Sequence, residues 1–449
     1  MKILIVGAGD VGFELVKVLT EEEHKVTVLD EDEHRLKQVA DNFDVLTVHG
    51  SATSPNSLVE AGVRDAELMV AVTNVDEVNI IASTMGKRLG VKSVIARVRN
   101  DELSRPDSPL SPSELGIDVL IHPEETTAEE ILQLLKRASA SDFVDLAGGE
   151  LQMIGLRVEE GCALSNRTLE EIADGMDDID FRVVAVLRRG TTVIPGGGFR
   201  LRKMDNIFAI THPNGASRLI KASGHSESSL RNILIAGGTE VGALLAEKLL
   251  KSSDSWNIKL IEPNEQAAQR MAERYSRILV LHGDPTDPNL LAIEGIQEMD
   301  AFVSVTDDEE SNIISSLMAK HLGVRKTVAM VSKGQYIPLG QTIGIDSIVN
   351  VKAAATDQIH CKIREGMMRT VKGLNGVKAE ILELDVKEGS PLTGKPLYKL
   401  KLPDGSIVGA IIRNGEPIVA TGNSEIEPGD RVLLFATSKA IQKLESMIA

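Results

Sequence analysis

Aromatic residues are scarce: the sequence has 1 Trp, 3 Tyr and 8 Phe among 449 residues. A full-sized core must then be built from Val, Ile, Leu and Ala, the usual filling of a parallel sheet covered by helices on both faces. Cysteine is nearly absent. Cys162 and Cys361 cannot form a disulfide framework or a metal knuckle in so long a chain, which points to a reducing cytosol. No stretch of about 18 residues is free of charge, so no membrane-spanning helix is expected. The first residues read as a strand rather than as a basic or hydrophobic targeting segment, so no leader is expected. Positive charge is also in deficit. A net charge of -17 disfavours a sequence-independent grip on nucleic acid or on an anionic bilayer, so any phosphate must be held locally.

What is present is a duplication. The opening Met1-Lys-Ile-Leu-Ile-Val-Gly-Ala-Gly-Asp-Val-Gly12 reads as strand, turn and helix, and Asp30 answers it. A worn copy stands at Ile233-Leu-Ile-Ala-Gly-Gly-Thr-Glu-Val-Gly242, answered by Glu262. The displacement between the halves is nearly constant: 230 residues from Gly12 to Gly242, and 233 from His49 to His282 and from Asn79 to Asn312. It falls to 228 between Gly116-Ile-Asp118 and Gly344-Ile-Asp346, which implies an insertion in the first copy within the proline-marked loop Ser104 to Ser113. From Asp205 to Asp430 it is 225.

The length and the 42% apolar content suffice for two to four domains. In the first copy, β-rich runs (Ile3 to Val6, Lys25 to Leu29, Val45 to Val48, Leu68 to Val72, Ser93 to Val98) alternate with helical stretches. That order predicts an α/β fold with a Rossmann-like, doubly wound parallel sheet. The segment after it differs. It has an apolar-alternating strand (Gln152 to Val158, repeated at Ala379 to Val386), a short helix past Leu169 or Leu397, and a hairpin on Arg189-Gly190 or Asn414-Gly415. The expected domains are 1–141, 142–225, 226–373 and 374–449: two Rossmann-like domains, each followed by a small α+β domain. Ser223 to Ser229 is the expected linker between the halves.

Gly7, Gly9 and Gly12 follow a strand and open a helix, the context that gives the triplet meaning. Gly7 permits the tight turn, Gly9 lets backbone approach a diphosphate, and Gly12 allows close helix–sheet packing. Ala8, Asp10 and Val11 complete the loop, whose amides face the phosphates. Asp30, 18 residues after Gly12, is placed to accept hydrogen bonds from ribose hydroxyls. A carboxylate there repels a 2′-phosphate, which favours NAD(H) or another adenine nucleotide over NADP. Ser51, Ala52 and Thr53 line the adenosine side or cap a helix. Thr73 and Asn74 end the fourth strand, where open sheets bind ligands, while Asp76 and Asn79 read as helix caps and first-turn residues. Arg97 and Arg99 share a face; either neutralises a phosphate or makes a surface ion pair. Glu124 and Glu125, after His122-Pro123, complement a helix dipole more readily than they hold a cation.

The second copy departs from this pattern. Thr239 puts a side chain where backbone should meet phosphate, unless Gly238 shifts the turn. Glu262 keeps the ribose acid on a longer arm, as a second and weaker site. Met330 stands at the position of Arg97, so a charge partner is missing unless Lys333 reaches in, and Asp307-Asp308-Glu309-Glu310 repels a diphosphate.

Catalytic machinery is not visible. Tyr275, Tyr336 and Tyr398 are followed four positions later by Leu279, Gly340 and Leu402, so no Tyr-x-x-x-Lys pair exists. No metal-binding His or Cys pair or nucleophile elbow occurs, and His49 and His282 occupy equivalent structural positions. The expectation is a binding protein without catalytic or metal-ligating residues.

Gly7-Ala-Gly-Asp-Val-Gly12, Asp30, the run Val72-Thr-Asn-Val-Asp-Glu-Val-Asn79, Ala96-Arg-Val-Arg99 and the order of the four segments resemble the TrkA family across essentially the whole chain. These are cytosolic regulatory subunits of bacterial Trk potassium-uptake systems, built from paired RCK and TrkA-C domains. The resemblance implies a homotetramer forming a ring of eight modules on the inner face of the cell membrane, with a TrkH/TrkG-like potassium-translocating partner. It also implies binding of NAD(H) and of ATP or ADP. Carried over by position, Gly7, Gly9, Gly12 and Asp30 would contact diphosphate and ribose, with Ser51, Thr73, Asn74 and Arg97 around them. A regulator of another cation channel or antiporter shares every motif, and a soluble NAD-dependent oxidoreductase is the more distant alternative.

Overall fold

The computed structural model describes residues 1–99, 103, 108–175, 181–225, 230–252, 256–363, 368–374 and 377–448. Part of the expected insertion, residues 104–107, and part of the expected linker, residues 226–229, lie outside them. By internal contacts the chain divides into two units, residues 1–126 with 351–360, and residues 127–350 with 361–449.

The first copy runs β1 (Lys2–Val6), α1 (Asp10–Glu21), β2 (Lys25–Asp30), α2 (Glu33–Asn42), β3 (Leu46–His49) and α3 (Pro55–Glu60). It continues β4 (Leu68–Ala71), α4 (Asp76–Arg88), β5 (Ser93–Arg97), β6 (Val119–Ile121) and α5 (Pro123–Lys136). All six strands pair in parallel in the order β3-β2-β1-β4-β5-β6. The expected α/β class is therefore met. β6, three residues long, is too short to stand out in the sequence. Apart from the exposed Lys2, strands β1 and β4 are apolar throughout because helices cover both faces of the sheet.

The next segment is antiparallel: β7 (Asp142–Leu146), β8 (Leu151–Arg157), α6 (Leu169–Ala173), β9 (Phe181–Arg188), β10 (Thr191–Val193), β11 (Asn206–Thr211) and α7 (Pro213–Ala222). Its sheet order is β10-β9-β11-β8-β7. Arg189 and Gly190, at φ 51° and 74°, join β9 to β10. Two successive left-handed residues match the twist of a tight hairpin, as the sequence suggested.

The second copy repeats the parallel sheet with β12 (Asn232–Ala236), α8 (Glu240–Lys251), β13 (Asn257–Glu262), α9 (Glu265–Arg274), β14 (Leu279–His282) and α10 (Pro288–Ile293). Then follow β15 (Ala301–Ser304), α11 (Glu309–His321), β16 (Lys326–Val331), α12 (Tyr336–Ile343), β17 (Ser347–Asn350) and α13 (Val351–Ile363). Last come β18 (Met368–Leu374), β19 (Val377–Asp385), β20 (Ser406–Arg413), β21 (Glu416–Val419), β22 (Arg431–Ala436) and α14 (Ser438–Ile448). The helix expected past Leu397 is only a short 3-10 turn, Leu397–Lys399.

Within the larger unit the two antiparallel sheets share one core. Leu151, Met153, Phe208 and Ile210 pack with Ile381, Leu433 and Phe435. Their neighbours in sequence turn the other way: Ile154, Leu156, Ile207 and Ala209 join a cluster with Leu219 of α7, and Leu382, Leu384, Val432 and Leu434 join one with Ile441 of α14. Both faces of these strands are thus buried. The period of two separates two cores rather than core from solvent.

Candidate functional site

In the strand order β3-β2-β1-β4-β5-β6 the chain reverses direction across the sheet between β1 and β4. The crevice outside the carboxyl ends of those strands is where open α/β sheets take ligands. Gly7 through Gly12 follow β1, and Thr73 and Asn74 follow β4. The two loops touch: a Cβ on Gly7, which has φ 106°, would lie 3.0 Å from the Thr73 amide nitrogen. A Cβ on Gly12 would lie 1.9 Å from the Gly7 carbonyl oxygen, so the helix packs at a distance only glycine permits. Gly9 is different. Its missing Cβ faces open space, with Nη1 of Arg35 the nearest atom at 3.8 Å, and as N-cap of α1 it offers no side-chain hydrogen bond. The first amides of α1 therefore keep no side-chain acceptor, which is the condition for holding an anion.

Asp30 closes this loop from β2. Its Oδ2 accepts from the Ala8 amide at 2.5 Å and its Oδ1 from the Asp32 amide at 2.8 Å. Each oxygen retains a further lone pair, so the carboxylate can shape the turn and still accept ribose hydroxyls. On the other side, Asn79 lies in the first turn of α4, as expected, but is fully buried and caps no helix. Its amide accepts from the Thr73 backbone and hydroxyl and donates to the Thr73 and Arg97 carbonyls, tying the ends of β4 and β5 together. Asp76 accepts from the Arg99 amide at 2.8 Å and does not cap α4, whose N-cap is Val75.

The arginines have partners. Arg97 donates to Glu124 in an ion pair whose side chains are 12% and 11% exposed, and its Nη1 reaches Asn74 Oδ1 at 3.4 Å. The expected alternative to a phosphate contact, an ion pair, is present, but it is buried rather than superficial. Arg99 donates to the Asn74 carbonyl. Ser51 and Thr53 bond each other through their hydroxyls at 2.9 Å, while Ser54 caps α3 and Ala52 belongs to the core. Of that trio, then, none is the cap and Ala52 does not present a side chain to a ligand.

Two residues escape the sequence. Lys352 Nζ of α13 lies 2.9 Å from Asp10 Oδ2, more than three hundred positions away in the chain. Arg35, held by Asp32 at 3.4 Å, flanks Gly9. Arg35 could have been found from its place in the first turn of α2; Lys352 had no local signal.

The second copy retains the backbone and loses the opening. Gly237 has φ 113°, and a Cβ on Gly242 would come within 2.1 Å of its carbonyl, so Gly238 does not shift the turn. Glu262 accepts from the Gly238 and Asn264 amides at 2.6 and 2.8 Å, repeating Asp30 atom for atom. Thr239, however, caps its own helix: Oγ1 accepts from the Gly242 amide at 3.4 Å and donates to the Val305 carbonyl at 2.6 Å. Lys333 does not reach in. It lies 2.6 Å from Glu309, whose carboxyl burial pushes up while Lys333 and the Ser332 and Lys333 amides pull it below the usual range. Asp308 caps α11 through the Ser311 amide. His49 and His282 each bond a backbone carbonyl, of Glu31 and Pro263, and are structural as expected.

The fold and this loop define a duplicated Rossmann-like scaffold. Residues 3–123 and 233–351 match the TrkA-N domain, and residues 153–224 and 381–449 the TrkA-C domain. The Trk system potassium uptake protein TrkA of Azorhizobium caulinodans is 32% identical over 450 residues, covering 100% of this chain and 98% of that protein. TrkA homolog 1 of Methanosarcina mazei is 34% identical over 454 residues, with 99% of each chain covered. Among solved structures, the GsuK RCK domain superposes with a TM-score of 0.62 at 17% identity over 99% of this chain and 94% of that one. The GsuK channel bound to NAD gives 0.62 at 17% identity, over 99% and 78%. The chain belongs to the TrkA family.

Proposed function

We propose that this chain is a nucleotide-sensing regulatory subunit of a potassium-uptake system, with Gly7 to Gly12 and Asp30 as its principal site. The observation that carries this is the uncapped start of α1 above an open Gly9, beside an acid at the end of β2. Names of full-length relatives, all Trk potassium uptake proteins, supply the ion. NAD(H) is the ligand the acid favours, with ATP or ADP as the other adenine nucleotides; Thr73, Asn74 and Arg97 form the wall of the pocket and Ser51 its rim. Nothing in this role requires catalysis. Glu262 marks a second site whose self-capped helix leaves it modulatory or structural.

The proposed assembly is a homotetramer of the four-segment chain (1–141, 142–225, 226–373, 374–449), peripheral on the cytosolic face of a TrkH/TrkG-like subunit. A ligand that binds two ring conformations unequally shifts their populations. A tenfold ratio biases the ring by about 1.4 kcal/mol per ligand, and four concerted sites supply about 5.5 kcal/mol, enough to switch a gate.

Two measurements test this. NADH titration of the Asp30→Ala variant by calorimetry should show affinity lowered about tenfold or more, with the fold intact by circular dichroism. Unchanged affinity rejects the site. Co-purification with membranes from the same cell should retrieve a potassium-translocating subunit; retrieval of a different cation channel or an antiporter would keep the fold and replace the ion.

A further inference from the structure

We propose that Lys352 is the charge that admits a diphosphate to the first glycine loop, making occupancy of that site a joint property of both halves of the chain. The inference rests on the nucleotide reading above and adds to it a residue and a form of regulation.

Asp10 creates the need. It is the first residue of α1, adjacent to Gly9, and its side chain is 75% exposed. A carboxylate there suits the helix dipole but repels an anion arriving at the same amides. Lys352 answers it. Its ammonium lies 2.9 Å from Asp10 Oδ2, while its own side chain is only 21% exposed, so a largely covered cation faces an exposed acid. With three donors, an ammonium at this position can satisfy Asp10 and a phosphate oxygen together. Arg35 also stands beside Gly9. The loop thus has one cation from α2 near Gly9 and one from α13 at Asp10.

Comparison of the copies shows that this pair of cations is not a general feature of the repeat. At the displacement of 228 that relates Gly116 to Gly344, Lys352 corresponds to Glu124, an acid. Arg35 binds Asp32 through its amide as Ala267 binds Asn264, so its counterpart is an alanine. The charge is specific to the first site. Its source is also specific: α13 follows β17 of the second parallel sheet without an intervening residue, and positions 351–360 belong to the unit that holds the first site. Binding there is therefore linked covalently to the second half of the chain through one helix.

Calorimetry of the full chain with adenosine, NADH, ADP and ATP tests this, using wild type, Lys352→Ala, Lys352→Glu, Asp10→Asn and the double variant Lys352→Ala/Asp10→Asn. Lys352→Glu should weaken NADH binding about tenfold and ADP and ATP by successively more, leaving adenosine unchanged. Asp10→Asn should restore much of the loss in Lys352→Ala. Equal binding by wild type and the Lys352 variants overturns the inference alone. So does an equal loss for adenosine and ATP, the signature of a purely structural clamp. A wild-type chain that binds none of the four overturns the nucleotide reading itself.

Discussion

At Gly9 and Thr239 a single side chain separates an open helix end from a closed one. The two turns share their left-handed glycine, their close-packed glycine and their acid, and differ in whether the first amides have an internal acceptor. Gly9→Thr should therefore let the helix cap itself and remove nucleotide binding at the first site, while raising thermal stability only slightly, since a capping side chain gains about a few tenths of a kcal/mol over glycine at this position. Titration and melting of the same variant check both signs. Much of this was legible: the triplet and Asp30 are local in sequence. What was not legible was Asn79, whose four bonds join residues 6 and 18 positions away. A polar residue in the first turn of a helix reads as a cap until the neighbouring strand is known.

Among elements, the β20–β22 pair shows how one ion pair fixes a hairpin to its sheet. Arg413 donates to both oxygens of Asp430 at 2.9 and 2.8 Å, and Arg188 does the same for Asp205 in the first copy, at 2.7 and 2.6 Å. The Asp430 side chain is 2% exposed. The Arg413 guanidinium holds its carboxyl below the usual range, with the Glu427 amide assisting against the opposing effect of burial. A depressed carboxylate stabilises the fold fully above its unfolded value, and that contribution is lost as pH falls through the lower folded value. Acid unfolding followed by circular dichroism should accordingly shift to a shallower dependence in Asp430→Asn. Asp430→Ala should cost about 1–3 kcal/mol at neutral pH, because the part-buried Arg413 guanidinium and the Glu427 amide lose their shared acceptor. The repeat offset of 225 aligned this aspartate with Asp205, and its hairpin was visible in Arg189-Gly190 and Asn414-Gly415. Its partner was not, since Arg413 lies one residue before the turn among several basic candidates.

For the whole molecule, the face-to-face packing of the two antiparallel sheets decides stability. Phe435 is fully buried at their interface, and Phe435→Ala should lose about 3–5 kcal/mol, seen as a lower urea midpoint. Gly409 of β20 makes room for the facing sheet: a Cβ there would lie 2.5 Å from Ile210 Cδ1 and 3.0 Å from Phe435. The strand patterns at Gln152 to Val158 and Ala379 to Val386 predicted strands correctly, but not that both faces would be covered. Lys326 makes the same point. This buried lysine, pushed down to about 8 by burial, donates to the Ala140 carbonyl and to Ser347 Oγ, joining residues from the two halves. By itself the sequence determined the duplication, the α/β class, the hairpins and the glycine–acid pair, because periodicity, turn chemistry and motif spacing are local quantities. Only the tertiary structure decided that Thr239 closes its own helix, that Arg97 is matched by Glu124, and that Lys352 stands beside Asp10. Those depend on which distant side chains the packing brings within a few ångströms, and no local pattern encodes that distance.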